Sequence, residues 1–184
     1  MPRPTVEDVV RSNVEVQQIT CVKRVIMLKG FRDDGKTTVL KEVIKMLHKR
    51  FPDAWRSHNR YDPGKFELSE VSTDVKAKDW LAALEINGIM VLIYTGGDNP
   101  SIVANTFAIA VRYNAQIVVT ALKVAKEGCE TTRAQRAYDL IANGTSFETT
   151  YVDICGKKLR DVSATRKRAE EIVEIVLRQV SMKN

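Results

Sequence analysis

Histidine is nearly absent from this chain: its two residues, His48 and His58, both lie in polar stretches. A histidine-based metal site or a Ser-His-Asp triad is therefore not expected, and both imidazoles read as solvated side chains. The three cysteines, Cys21, Cys129 and Cys155, are odd in number and far apart. None has the short spacing of a zinc knuckle or a redox pair, so a reducing, cytoplasmic compartment is expected. The opening Met-Pro-Arg-Pro-Thr-Val-Glu-Asp has no apolar signal core, and no apolar run approaches the ~18 residues of a membrane span. Neither secretion nor a membrane partner is expected. Glycine (9) and proline (5) are sparse against 44% apolar residues, which excludes collagen-like and disordered compositions. A length of 184 residues suits one domain with a single sizeable core.

Positive charge is in excess, with a net +6. Lys and Arg are mostly interleaved with Glu and Asp, the pattern of solvated helix faces, so charge permits a nucleic-acid partner without specifying one. Heptads, an RRM signature and a kinase catalytic loop are all missing.

The chain alternates between strand and helix patterns. Thr5 before Val6-Glu7-Asp8 is a helix-start signal, and valines at near-helical spacing predict an N-terminal helical extension over about residues 5–19. Val25-Ile26-Met27-Leu28 reads as a strand buried on both faces. Val39, Leu40, Val43, Ile44 and Leu47 form one helical stripe, stopped by Phe51-Pro52. Residues 53–65 read as loop and 66–72 as a strand. Asn87-Gly88 between two apolar runs predicts a hairpin of residues 80–86 and 89–95, with a helix over 79–85 as the competing reading. Helices are then expected over 101–113, 131–142 and 163–180, and strands over 116–122 and 149–154. This order gives an α/β fold: a largely parallel sheet with one antiparallel hairpin strand and helices on both faces.

Between the first strand and the first long helix lies Gly30-Phe31-Arg32-Asp33-Asp34-Gly35-Lys36-Thr37, which fits G-x-x-x-x-G-K-[ST] at every fixed position. The chemistry explains the residue types. Gly30 and Gly35 permit torsions and close approach that a Cβ blocks, so successive N–H groups can face phosphate oxygens. Lys36 supplies a charge to the terminal phosphates, the Thr37 hydroxyl can ligate Mg²⁺, and the helix adds its positive end. Residues 25–50 resemble P-loop NTPases, and the run from Gly30 to Thr38 is similar to the loop of small nucleotide kinases. The resemblance implies a three-layer P-loop fold that binds Mg-ATP through residues 30–38.

Arg32, Asp33 and Asp34 depart from the small residues usual in such loops. Two carboxylates beside a polyphosphate would repel it unless a cation compensates. Asp33 either orients a nucleophile or points to solvent. The acid expected at the end of the neighbouring strand is replaced by Thr95, leaving Asp98, after Gly96-Gly97, as the candidate metal carboxylate. Its competing reading is a turn or N-cap residue before Pro100. Lys36, Asp33 and Asp98 are thus the candidate catalytic groups, and Thr37 and Asp98 the candidate metal ligands. Lys123, Lys126, Arg133 and Arg136 follow a later strand, where a cation can neutralise charge, and solvated surface positions suit them too. The lack of an Asn-Lys-x-Asp element favours ATP over GTP. Two functions fit: an ATPase or phosphotransferase acting on a small acceptor, or a regulatory nucleotide-binding module, one variant being the ATPase partner of a nucleic-acid system.

Overall fold

The computed structural model describes residues 3–54, 79–156 and 161–182. His58 and the strand expected at 66–72 lie outside them, as does most of the loop expected at 53–65.

The first helix, α1 (Val6–Asn13), starts with a reciprocal capping box between Thr5 and Asp8. It is shorter than the periodicity predicts. The Asn13 side chain donates to the Val9 carbonyl at 2.7 Å, Val14 turns extended, and a single 3-10 turn over Val16–Gln18 follows. Val14 and Ile19 still reach the core, so their spacing reports burial and not a continuous helix.

Strand β1 (Arg24–Gly30) leads through the glycine-lysine loop into α2 (Lys36–Arg50). A hairpin follows, β2 (Leu81–Ile86) and β3 (Ile89–Tyr94), in antiparallel register from Leu81–Tyr94 to Ile86–Ile89. Its turn residues, Asn87 and Gly88, have φ of 54° and 78°, the left-handed pair that a two-residue hairpin needs. The helix alternative for 79–85 is thereby removed. The chain continues through α3 (Pro100–Arg112), β4 (Ile117–Lys123), α4 (Arg133–Asn143), β5 (Glu148–Asp153) and α5 (Val162–Ser181).

The five strands form one sheet in the order β2-β3-β4-β1-β5, parallel except for the β2–β3 pair. Alternate residues of β1 serve two cores. Val25 and Met27 join the valines of α1 and the apolar faces of α3 and α4. Ile26 and Leu28 join α2 and α5 on the opposite face. Leu40, Val43, Ile44 and Leu47 of α2 are fully buried, each contributing roughly 1.5–3 kcal/mol by removal from water. Together the four outweigh any single polar contact at the helix start, so packing anchors the helix that follows the loop.

Candidate functional site

In the parallel part of the sheet the strands end together. Lys29 pairs with Asp153 of β5, Gly30 pairs with Lys123 of β4, and the Gly30 carbonyl accepts from Val124 N–H at 3.2 Å. Loops leaving these carboxyl ends share one edge, where open α/β sheets hold ligands. Here lies a cleft of about 310 Å³ lined by Asp33, Gly35, Lys36, Thr37 and Thr38 from the loop and by Asp79, Thr95, Gly96, Gly97 and Asp98 from the neighbouring hairpin and its exit.

The loop is tight at its start. A Cβ on Gly30 would stand 3.1 Å from both Ile154 Cγ1 and Lys36 Cγ. Asp33 and Gly35 take left-handed φ of 63° and 91°, reversing the chain into α2. Gly35 caps α2 without a side-chain hydrogen bond, so the cap position supplies no side-chain oxygen to the first-turn N–H groups. Lys36 is 7% exposed, and its ammonium donates to the carbonyls of Phe31 at 2.6 Å and Gly30 at 3.3 Å. Burial lowers its pKa, the charges of Asp98 and Asp34 oppose that shift, and Lys123 reinforces it.

The two aspartates of the loop differ from each other, and Asp34 departs from the sequence expectation. Asp34 does not face the cleft: it is buried, and one oxygen, Oδ2, accepts from Phe31 N–H at 2.8 Å and Gly156 N–H at 2.9 Å. Asp33 is exposed beside Arg32, whose Nε stands 3.8 Å from its carboxylate. Gly30, Phe31, Arg32 and Asp34 thus shape the loop, while Asp33, Gly35, Lys36, Thr37 and Thr38 line the cavity.

Across the cleft, Gly96-Gly97 lies flat on the end of β4. Thr120 Oγ1 donates to the Gly96 carbonyl, and Lys123 N–H donates to that of Gly97. A Cβ on Gly97 would fall 1.9 Å from the Ala121 carbonyl oxygen, so only glycine fits. The cap of α3 is Asn99, whose Oδ1 accepts from Ile102 N–H. Asp98 is therefore spared the capping role and lines the cleft.

Sequence reasoning missed Asp79. It precedes β2, the antiparallel edge strand, and its Oδ1 accepts from Thr95 Oγ1 at 3.2 Å. Thr95 Oγ1 also accepts from Trp80 N–H at 2.7 Å, and Trp80 carbonyl accepts from Thr95 N–H at 3.0 Å. Thr95 thus occupies the expected acid's position and holds an acid from the next strand. Burial raises the Asp79 pKa, the Thr95 hydrogen bond opposes this, Asp98 raises it further and Lys41 lowers it. The signal was in the hairpin register: extending the Leu81–Tyr94 pairing by two residues sets Asp79 opposite Gly96.

Thr37 Oγ1 points toward the Thr95 carbonyl at 3.5 Å. Among the described residues, no group of three or more His, Cys, Asp or Glu side chains is placed to hold a metal ion. Two of the later basic residues are engaged elsewhere, Arg133 donating to the Pro4 carbonyl and Arg136 standing 4.0 Å from Glu130, whereas the charge of Lys123 acts on Lys36. No helix among the described residues is long and apolar enough to cross a membrane. No protein-family model, curated protein or solved structure matches the chain.

Proposed function

We propose that this chain is a P-loop protein that binds Mg-ATP in the cleft at the carboxyl edge of its sheet, and that it hydrolyses the terminal phosphate or transfers it to a small acceptor. The observation that carries this reading is Lys36. A buried ammonium whose close partners are two carbonyl oxygens, beneath a helix start whose cap supplies no side-chain oxygen, is a cationic socket that an anion completes. A polyphosphate brings that anion, and N–H groups of the first turn of α2 complement its oxygens.

The residues around Lys36 fit a Mg²⁺ ion that arrives with the nucleotide. The carboxylates of Asp79 and Asp98 share the cleft with the Thr37 hydroxyl. The Asp79 pKa is raised by burial first and by the charge of Asp98 to a lesser degree, and a divalent cation would offset both. Mg²⁺ commonly takes one or two protein carboxylates together with the phosphates of its nucleotide, which is the share that Asp79 and Asp98 could supply. In this reading Lys36 neutralises charge that develops on the phosphate oxygens, Thr37 contacts the metal, and Asp79 and Asp98 hold it through water. Asp33, exposed at the rim, is the remaining candidate for orienting the attacking group.

A single-turnover assay with γ-labelled ATP and Mg²⁺ tests this, with and without added nucleosides, nucleotides and DNA, and with GTP in parallel. Label release to water marks an ATPase, label transfer marks a phosphotransferase, and binding without either marks a regulatory module. Lys36→Ala should weaken ATP binding by about tenfold or more. Equal affinity in the variant and wild type would refute the assignment.

A further inference from the structure

Asp34 is the loop residue that the nucleotide reading leaves without work. Its position is unusual: a carboxylate 2% exposed, in the interior of an anion-accepting loop, facing away from the cleft. Both of its described hydrogen bonds fall on Oδ2, from Phe31 N–H within the loop and from Gly156 N–H, 122 residues distant, in the turn that leaves β5. Other contacts run along the same seam. Ile154 N–H donates to the Lys29 carbonyl at 2.9 Å, Ile154 Cγ1 closes on Gly30, and the Phe31 ring lies beside Gly156. Gly156 itself takes a left-handed φ of 73°, which aims its N–H at the loop.

We propose that Asp34 is a positioning residue: its carboxylate clasps the Gly30–Thr37 loop to the turn after β5 and so holds the loop open for phosphate before any ligand arrives. This inference rests on the nucleotide reading for its functional consequence. A loop that must aim several N–H groups at a ligand loses conformational entropy on binding unless it is already ordered. Asp34 orders it by satisfying the one N–H, that of Phe31, closest to the strand end. The same oxygen makes the turn after β5 part of the loop's frame. Its charge also balances the buried Lys36 from behind, which raises the lysine pKa against the effect of burial.

Because a single oxygen takes both bonds, asparagine preserves the clasp and removes only the charge, whereas alanine removes both. The neighbouring Cys155 reports on the turn: burial, first among several causes, pushes its thiol up to about 11, so it reacts slowly while the turn is held. The experiment compares wild type, Asp34→Asn and Asp34→Ala. Cys155 alkylation by iodoacetamide is followed peptide by peptide by mass spectrometry, and ATP affinity is measured on the same samples.

The clasp predicts that Asp34→Ala alkylates at Cys155 about tenfold faster or more, and binds ATP about ten- to a hundredfold more weakly. Asp34→Asn, which keeps the bonds but removes a charge that helps to raise the Cys155 pKa, should alkylate faster than wild type yet clearly more slowly than Asp34→Ala, and bind ATP at least as tightly. Wild-type alkylation in Asp34→Ala overturns the proposal, as does an Asp34→Asn variant that behaves like alanine. If the alanine variant does not fold, amide hydrogen exchange decides: Phe31 and Gly156 should be protected alike in wild type and Asp34→Asn, and exchange of either amide at the open-chain rate overturns the clasp. A wild-type protein that binds no nucleotide defeats the functional reading, while the thiol and exchange measurements still judge the clasp.

Discussion

Replacing Asp79 with asparagine separates charge from shape in the cleft. The asparagine Oδ1 can accept the Thr95 hydroxyl as the carboxylate does, so the link between the two strand ends survives. What disappears is a charge that the folded protein disfavours. Burial, and then the charge of Asp98, hold the Asp79 pKa above its ordinary 3.8, against the Thr95 hydrogen bond and Lys41. The sign of the stability effect follows. Below pH 3.8 the group is protonated in both folded and unfolded chains and contributes no difference. As pH rises toward the folded pKa the unfolded chain ionises first, and above that pKa the wild type carries the full penalty. Asparagine carries none. The side chain is partly open to water, so screening limits the gain to about 0.2–1 kcal/mol, or roughly 1–4 °C in Tm for a chain of this size. Thermal melts at about pH 7 should show the variant as the more stable protein, and the two should converge at about pH 3.5. Under the proposed function, turnover of Mg-ATP should move the other way, falling by about 10²–10³ because a carboxylate proposed to hold the metal is lost. If the cleft turns over Mg-ATP as proposed, the raised pKa of Asp79 should place the acid limb of wild-type kcat/KM above the usual carboxylate range. An Asp79→Asn protein that melts lower at neutral pH, or that turns over at the wild-type rate, would refute this reasoning.

Two further substitutions probe the cleft from its other sides. Gly97→Ala puts a methyl 1.9 Å from a backbone oxygen that cannot swing away, so Tm should fall by roughly 4 °C or more; an unchanged melt would mean that the turn does not lie on β4. Thr37→Val keeps the shape and removes the hydroxyl, and the dependence of ATP affinity on Mg²⁺ should weaken. A titration with and without EDTA that separates the two conditions as widely as in wild type would remove Thr37 from the metal site.

Sequence patterns reached some of these features and not others, for reasons that lie in the range of the interactions. The alternation of strands and helices was legible because burial imposes short periods. Asn87-Gly88 announced its hairpin because few residues tolerate two consecutive left-handed torsions. The glycine-lysine loop was legible because its requirements are local. The end of α1 was not, since Val14 and Ile19 satisfy the core outside a helix. Asp34 was misread as a phosphate neighbour because Gly156, which receives its carboxylate, is 122 residues away. Asp98 was ambiguous until Asn99 took the cap. Asp79 needed the strand pairing carried past the visible ends of the hairpin, and only then did an acid come opposite the exit of β3.

The place of β1 in the sheet has a consequence for how the molecule comes into being. Arg24 pairs with Ile117 on one side and with Glu148 on the other, so neither edge of this strand can be completed by nearby chain. Closing such long loops costs entropy before any contact rewards it, and parallel strands so far apart in sequence pair slowly. The octapeptide from Gly30 to Thr37 therefore has no shape of its own to nucleate folding. Its torsions are imposed late, once β4 and β5 have closed on either side of β1. A ligand that recognises the finished cleft then selects only completed molecules and draws the last steps of assembly toward the native state by mass action.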